Sequence, residues 1–185
     1  MKIVLVRHGP PAVASWPAIS GHEIGAFVRE YNLLGTAATT PPPHISALAA
    51  SCSSIVSSDL PRALESAQLI ARSQPIQIDA ELREAALPER IELSMRLPVA
   101  AWTAFARIVW WLNWAGADES LLDARARASR VADRLSAAAH IHEGVLAVGH
   151  GIFNRLVAGE LKRRGWRGRT TLARSYWECA ALTIT

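Results

Sequence analysis

The sequence predicts an α/β fold built on a mostly parallel sheet. Three observations carry this. Short apolar runs without alternation suit strands covered on both faces. Helical stretches separate these runs. The connections between them are mostly short, which favours layered strand–helix packing.

The elements follow in order. Residues 2–6, Lys-Ile-Val-Leu-Val, read as the first strand, and residues 10–21, with Pro10, Pro11, Pro17 and Gly21, as a loop. His22 to Asn32 reads as a helix with Ile24, Phe27, Val28 and Tyr31 on one side. Gly35 to Pro43 is a proline-rich loop, and Ile45 to Cys52 a short helix. Ser54 to Ser57 is the second strand. A helix to about Arg72 follows, with Asp59 offered as its N-cap and Pro61 in its first turn. Ile76 to Ile78 is the third strand, and residues 85–118 show no strand alternation.

Glu119 to Ala139 is the clearest helix: Ala124, Ala128, Val131, Leu135 and Ala138 share a face, and Asp123 and Arg127 are spaced to pair. Gly144 to Val148 is the fourth strand, Ile152 to Arg163 the next helix, and Tyr176 to Ile184 the fifth strand.

Composition narrows the function. The chain has 185 residues, enough for one domain with a substantial core. With 50% hydrophobic and 19% charged residues it is not a disordered chain. No apolar run is long enough for a membrane helix, and the N-terminus lacks a signal-peptide pattern, so a cytoplasmic protein is expected. Cys52 and Cys179 have no metal-ligand spacing and read as small buried hydrophobes. Only Lys2 and Lys162 among the 20 basic residues are lysines; arginine forks match phosphate and carboxylate geometry, although genome composition produces the same bias. The net charge of +4 is modest, and the basic run from Lys162 to Arg169 reads as a solvated helix end, so no nucleic-acid role is expected.

In open α/β sheets, ligands bind beyond the carboxyl ends of the strands. Here the first strand ends in Arg7-His8-Gly9, the second in Ser57-Ser58-Asp59-Leu60-Pro61-Arg62, and the fourth in Gly149-His150-Gly151. If these strands are parallel neighbours, two histidines and two arginines converge, beside helix N-termini that favour anions. Such a cluster repels itself unless a phosphoryl group fills it, so a phosphate ester is the expected ligand.

These segments resemble the histidine phosphatase superfamily in its phosphoglycerate-mutase-like branch. The resemblance rests on Leu5-Val6-Arg7-His8-Gly9, Ser57 to Ala63, Leu82-Arg83-Glu84 and Val148-Gly149-His150-Gly151, in the family's order and approximate spacing. It implies a three-layer α/β/α sandwich with a mostly parallel central sheet and a helical cap insertion, placed here at 85–118 in a single domain of residues 1–185.

It also implies roles. His8 is the nucleophile, forming a phosphohistidine. Arg7, Arg62 and His150 hold the phosphoryl oxygens, with Gly9 and Gly151 beside them, and Glu84 protonates the leaving oxygen. Neighbouring arginines favour the neutral imidazole needed for attack.

The chain departs from the family where Pro10-Pro11-Ala12-Val13-Ala14-Ser15 follows the first motif; the usual Asn contact is lost, and Ser15 is its candidate replacement. The mutase-type stretch after the acid is missing too. The implied reaction is therefore metal-independent hydrolysis of a small phosphorylated metabolite, without cofactor. The alternatives are a phosphomutase, a phosphohistidine-protein phosphatase, or a catalytically weak phosphate-ligand binding protein.

Trp102, Phe105, Val109 and Leu112 share a helical stripe that Trp110, Trp111 and Trp114 broaden. This stripe reads as core or as a subunit contact, which admits a homodimer. The functional alternative is a cap selecting a hydrophobic or ring-shaped alcohol.

Overall fold

The computed structural model describes residues 1–13, 15–112, 119–142, 144–170 and 175–184. Five strands form one sheet: β1 (Lys2–Arg7), β2 (Ser54–Ser57), β3 (Ile76–Ile78), β4 (Gly144–Gly149) and β5 (Cys179–Thr183). Their spatial order is β3-β2-β4-β1-β5. The first four run parallel, and β5 pairs antiparallel with β1. The six α-helices among the described residues are α1 (Ile24–Asn32), α2 (Pro43–Ala50), α3 (Pro61–Ile70), α4 (Val99–Trp111), α5 (Leu121–His142) and α6 (Gly151–Arg163).

Strand alternation builds the layers. Ile3 and Leu5 of β1 and Val145 and Ala147 of β4 pack on one face against Val131 and Leu135 of α5 and Phe153, Val157 and Leu161 of α6. Val4, Val6, Leu146 and Val148 pack on the other face against Ile45 and Ala49 of α2 and Ala63, Ala67 and Ile70 of α3. Both faces of the central strands are therefore apolar, the origin of their unalternating sequence.

Several local expectations change. The last strand begins at Cys179 instead of Tyr176, because Trp177 has φ +62°, outside the extended region. Asp59 does not cap α3; its N-cap is Leu60, and the Asp59 carboxylate instead accepts from the Arg83 guanidinium at 2.6 and 2.7 Å. Asp123 does not pair with Arg127. It caps the start of α5 by accepting from the Ser120 backbone N–H at 3.2 Å, while Arg127 donates to both carboxylate oxygens of Glu119.

The aromatic stripe is also divided differently. Trp102, Ala106 and Trp110 form the buried face of α4, whereas Phe105, Ile108 and Leu112 are exposed. Trp114 lies outside the described residues. Trp102 and Ala106 pack with Ile19, Ile24 and Phe27, so this part of α4 joins α1 and the loop before it in a separate small cluster, while Trp110 packs with Ala85 and Ala124.

Trp102 is 1% exposed, and its indole N–H donates to the Ile19 carbonyl at 2.8 Å. Trp102→Ala should cost about 3–5 kcal/mol of stability by leaving a cavity. Urea unfolding followed by circular dichroism measures it; a loss below about 1 kcal/mol would show that this cluster contributes little to the fold.

Candidate active site

The β1–β4 register aligns Arg7 with Gly149, so the next residue of each strand, His8 and His150, emerges at the same edge. The His8 backbone N–H donates to the Gly149 carbonyl at 3.0 Å, and the imidazole centroids are 5.0 Å apart. β2 is the other neighbour of β4, and the Ser58 N–H donates to the Val148 carbonyl at 2.9 Å. That contact brings the start of α3, with Arg62, to the same edge. Arg62 is 2% exposed although it carries a guanidinium.

His8 is 2% exposed, and its Nδ1 lies 2.6 Å from the Gly9 carbonyl oxygen. A carbonyl only accepts, so Nδ1 carries the hydrogen and Nε2 keeps its lone pair. Burial lowers the His8 pKa to about 3; the Gly9 hydrogen bond opposes this, while the Arg62 and Arg7 charges add to it. His150 is held well below its ordinary value, first by burial and then by His8, Arg62 and Arg7. Its Nε2 is 3.1 Å from the Ser58 hydroxyl. Both imidazoles are thus neutral at physiological pH.

Arg62 donates from Nη1 to the Tyr31 carbonyl at 3.0 Å and from Nη2 to the Asn32 side-chain oxygen at 3.2 Å. Its guanidinium carbon lies 4.5 Å from the centre of the Tyr31 ring. Arg7 has a matching contact, 4.6 Å from the Tyr176 ring, and Tyr176 is also 5.7 Å from the His8 ring. Gly9 lies under Trp177: a Cβ there would come within 2.6 Å of the indole.

Glu84 reaches the same region from the loop after β3. Its carboxylate accepts from the N–H groups of Ile152 at 3.2 Å and Phe153 at 2.8 Å, in the first turn of α6, and from Ala85 at 3.1 Å. Charge interactions tie it to Arg62 and Arg107. The loop is held by Arg127, which donates to the carbonyls of Glu81 and Arg83 and lies 3.8 Å above the Phe153 ring.

The structure thus groups Arg7, His8, Gly9, Arg62, Glu84, His150 and Gly151. Ser15 is not part of the group; it is exposed and makes no hydrogen bond among the described residues. Sequence reasoning missed Tyr31, Asn32, Ser58 and Tyr176. Ser58 lies inside the Ser57-to-Ala63 motif, where only Arg62 carries an expected role. Tyr31 was read as one side of an apolar helix face, and nothing in the sequence marks Tyr176 as a neighbour of Arg7. No cluster of His, Cys, Asp or Glu suited to a metal ion occurs among the described residues.

The sequence matches the histidine phosphatase superfamily (branch 1) over residues 45–182, a segment that holds Arg62, Glu84 and His150. Arg7 and His8 precede it. No curated protein matches. Solved structures with the same fold include the mycobacterial glucosyl-3-phosphoglycerate phosphatase (TM-score 0.63, 21% identity, covering 97% of this chain and 88% of that one). The alpha-ribazole phosphatase from Shigella flexneri gives TM-score 0.58 at 18% identity, with 100% and 91% covered. A phosphoserine phosphatase from Entamoeba histolytica gives 0.56 at 13%, with 97% and 89% covered.

The depressed histidines couple stability to pH. Between about pH 6.5 and pH 3, His8 binds a proton when unfolded and stays neutral when folded, so acid favours unfolding through this window. Each such histidine steepens the decline by up to about 1.4 kcal/mol per pH unit. His8→Asn should therefore flatten the dependence of the urea midpoint on pH between about 6.5 and 4. A variant as steep as wild type would show that His8 is protonated in the folded protein.

Proposed function

The chain belongs to the histidine phosphatase superfamily, a family of phosphatase-type enzymes, and on that premise we propose that it hydrolyses a small phosphate monoester through a phosphohistidine on His8, without a metal. The observation that carries the proposal is the neutral His8, whose Nδ1–H is committed to the Gly9 carbonyl and whose Nε2 keeps its lone pair between two arginines. A buried imidazole beside cations is costly as a structural element and well suited as a nucleophile.

In the first step Nε2 forms a bond to phosphorus while the bond to the alcohol oxygen breaks and its electron pair leaves with that oxygen. Arg7, Arg62 and His150 stabilise the charge on the phosphoryl oxygens, the work a metal does elsewhere. Glu84, as the carboxylic acid, gives its proton to the departing oxygen, a contribution of about 10²–10⁴-fold. Water then attacks the phosphohistidine, Glu84 takes a proton back, and inorganic phosphate leaves. The proposal keeps a small metabolite as substrate and the cytoplasm as setting.

A second reading, a phosphate-binding protein with little turnover, is favoured by one observation. The Glu84 oxygens are already engaged by three backbone N–H groups, those of Ala85, Ile152 and Phe153. Leaving-group chemistry separates the two. p-Nitrophenolate leaves as a stable anion, whereas an alkoxide requires a proton. Glu84→Gln should lose at least about 10-fold more kcat/KM on an alkyl phosphate than on p-nitrophenyl phosphate. Equal losses on both would remove Glu84 from the acid role.

His8→Ala should abolish turnover with the fold retained by circular dichroism, and activity should survive EDTA; substantial turnover by folded His8→Ala would end the covalent mechanism. Arg62→Lys should lose about 10-fold or more in kcat/KM, because an ammonium cannot bridge two phosphoryl oxygens and also reach the Tyr31 carbonyl and Asn32. Steady-state kinetics within about twofold of wild type would place Arg62 outside the phosphoryl pocket.

A further inference from the structure

We propose that Tyr31 and Tyr176 are positioning residues, stacking Arg62 and Arg7 so that the guanidinium edges stay turned to the phosphoryl group. The inference rests on the reading that both arginines hold that group.

The two contacts are alike: 4.5 Å from Arg62 to the Tyr31 ring and 4.6 Å from Arg7 to the Tyr176 ring. Each lies within the range of a cation–π interaction. They reach the site from opposite ends of the chain, Tyr31 from α1 and Tyr176 from the segment before β5. The two phenols interact with each other, which links the two stacked pairs. Tyr31 is itself held by the Phe27 ring at 5.6 Å.

The placement of Tyr176 is enforced by its neighbour. Trp177 has φ +62°, an unfavourable conformation for a bulky side chain. It is kept there by burial of the indole, 6% exposed, in the core with Val4, Val6 and Val148, and by the Trp177 backbone N–H donating to the His8 carbonyl at 3.4 Å. The Arg7 N–H donates to the Glu178 carbonyl at 2.9 Å, tying the same segment to β1. Tyr176 is 41% exposed, so packing alone does not account for its position.

The physical advantage lies in which part of the guanidinium each partner uses. A carboxylate would occupy the N–H edge and would have to be displaced by the incoming phosphoryl group. An aromatic ring uses the face and leaves the edge available. It also restricts two long side chains before the ligand arrives, lowering the entropy lost on binding. In Arg62 the buried Nε–H has no hydrogen-bond partner among the described residues, which agrees with a donor kept for a ligand. Burial pushes the Tyr31 phenol up from its ordinary value, opposed by Arg62, so the ring acts as a neutral face.

The test measures binding of inorganic phosphate by calorimetry, and kcat/KM on p-nitrophenyl phosphate and on an alkyl phosphate, for the full-length chain. Tyr176→Leu and Tyr31→Leu should each weaken phosphate binding about 3- to 30-fold, with the same factor on both esters. Tyr176→Phe and Tyr31→Phe, which keep the ring, should recover most of the loss.

Phosphate affinity unchanged in a folded Leu variant, or equal losses for Phe and Leu, would overturn the proposal. A loss confined to one ester would also overturn it, because the rings would then be contacting the alcohol. Tyr176 is the exposed member, so its variants keep the test usable if Tyr31→Leu does not fold. Wild type that binds phosphate but turns over neither ester would refute the hydrolase reading, with the stacking still judged by the binding constants. Wild type that binds no phosphate would overturn both.

Discussion

The in-register pairing of β1 with β4 is the constraint on which the site depends. Because Arg7 lies opposite Gly149, the two strands deliver His8 and His150 side by side at one sheet edge. Four nitrogen-rich side chains then share a space that water barely reaches. Such a group is tolerated only if some of its members are uncharged. Burial supplies that condition by holding both imidazoles neutral, and the same condition makes His8 a usable nucleophile. The cost of that condition is stability at acid pH.

The positive charge of Arg62 is managed by neutral groups. Arg62 is held by the Tyr31 carbonyl, the Asn32 amide oxygen and an aromatic face. These are neutral partners, and a dianionic group can compete with them. The acidic residues nearby are otherwise engaged: Glu84 with the first turn of α6, and Glu119 with Arg127. Arg127 therefore acts on the site from outside it. By bridging Glu119, the carbonyls of Glu81 and Arg83 and the Phe153 ring, it fixes the loop that carries Glu84 against α6.

Legibility differed between residue types. The convergence of Arg7, His8, Arg62 and His150 was legible because Arg7, His8 and His150 stand at the ends of apolar runs and Arg62 in the first turn of the helix after one, and a strand end is where an α/β sheet binds its ligand. The central strands were readable because both faces are covered, leaving few polar residues to confuse the pattern. Errors gathered at the ends of elements and in ion pairs. Asp123 and Arg127 have the spacing of a helical pair, but Glu119 offers Arg127 a two-oxygen partner in a half-buried setting, and Asp123 is drawn to the free Ser120 N–H at the helix start.

What the sequence determined by itself was local: the strand cores, the helices between them, and the chemical character of three strand ends. Those properties depend on the neighbours along the chain, through periodicity and turn residues. Tertiary structure alone decided the strand order β3-β2-β4-β1-β5, the face of α4 that buries Ala106 and Trp110 beside Trp102 and exposes Phe105 and Leu112, and the stacking of Tyr31 and Tyr176 on the arginines. The reason is sequence distance. Tyr176 and Arg7 stand at opposite ends of the chain, and only the antiparallel return of β5 beside β1 brings them together. No periodicity in either segment encodes that meeting.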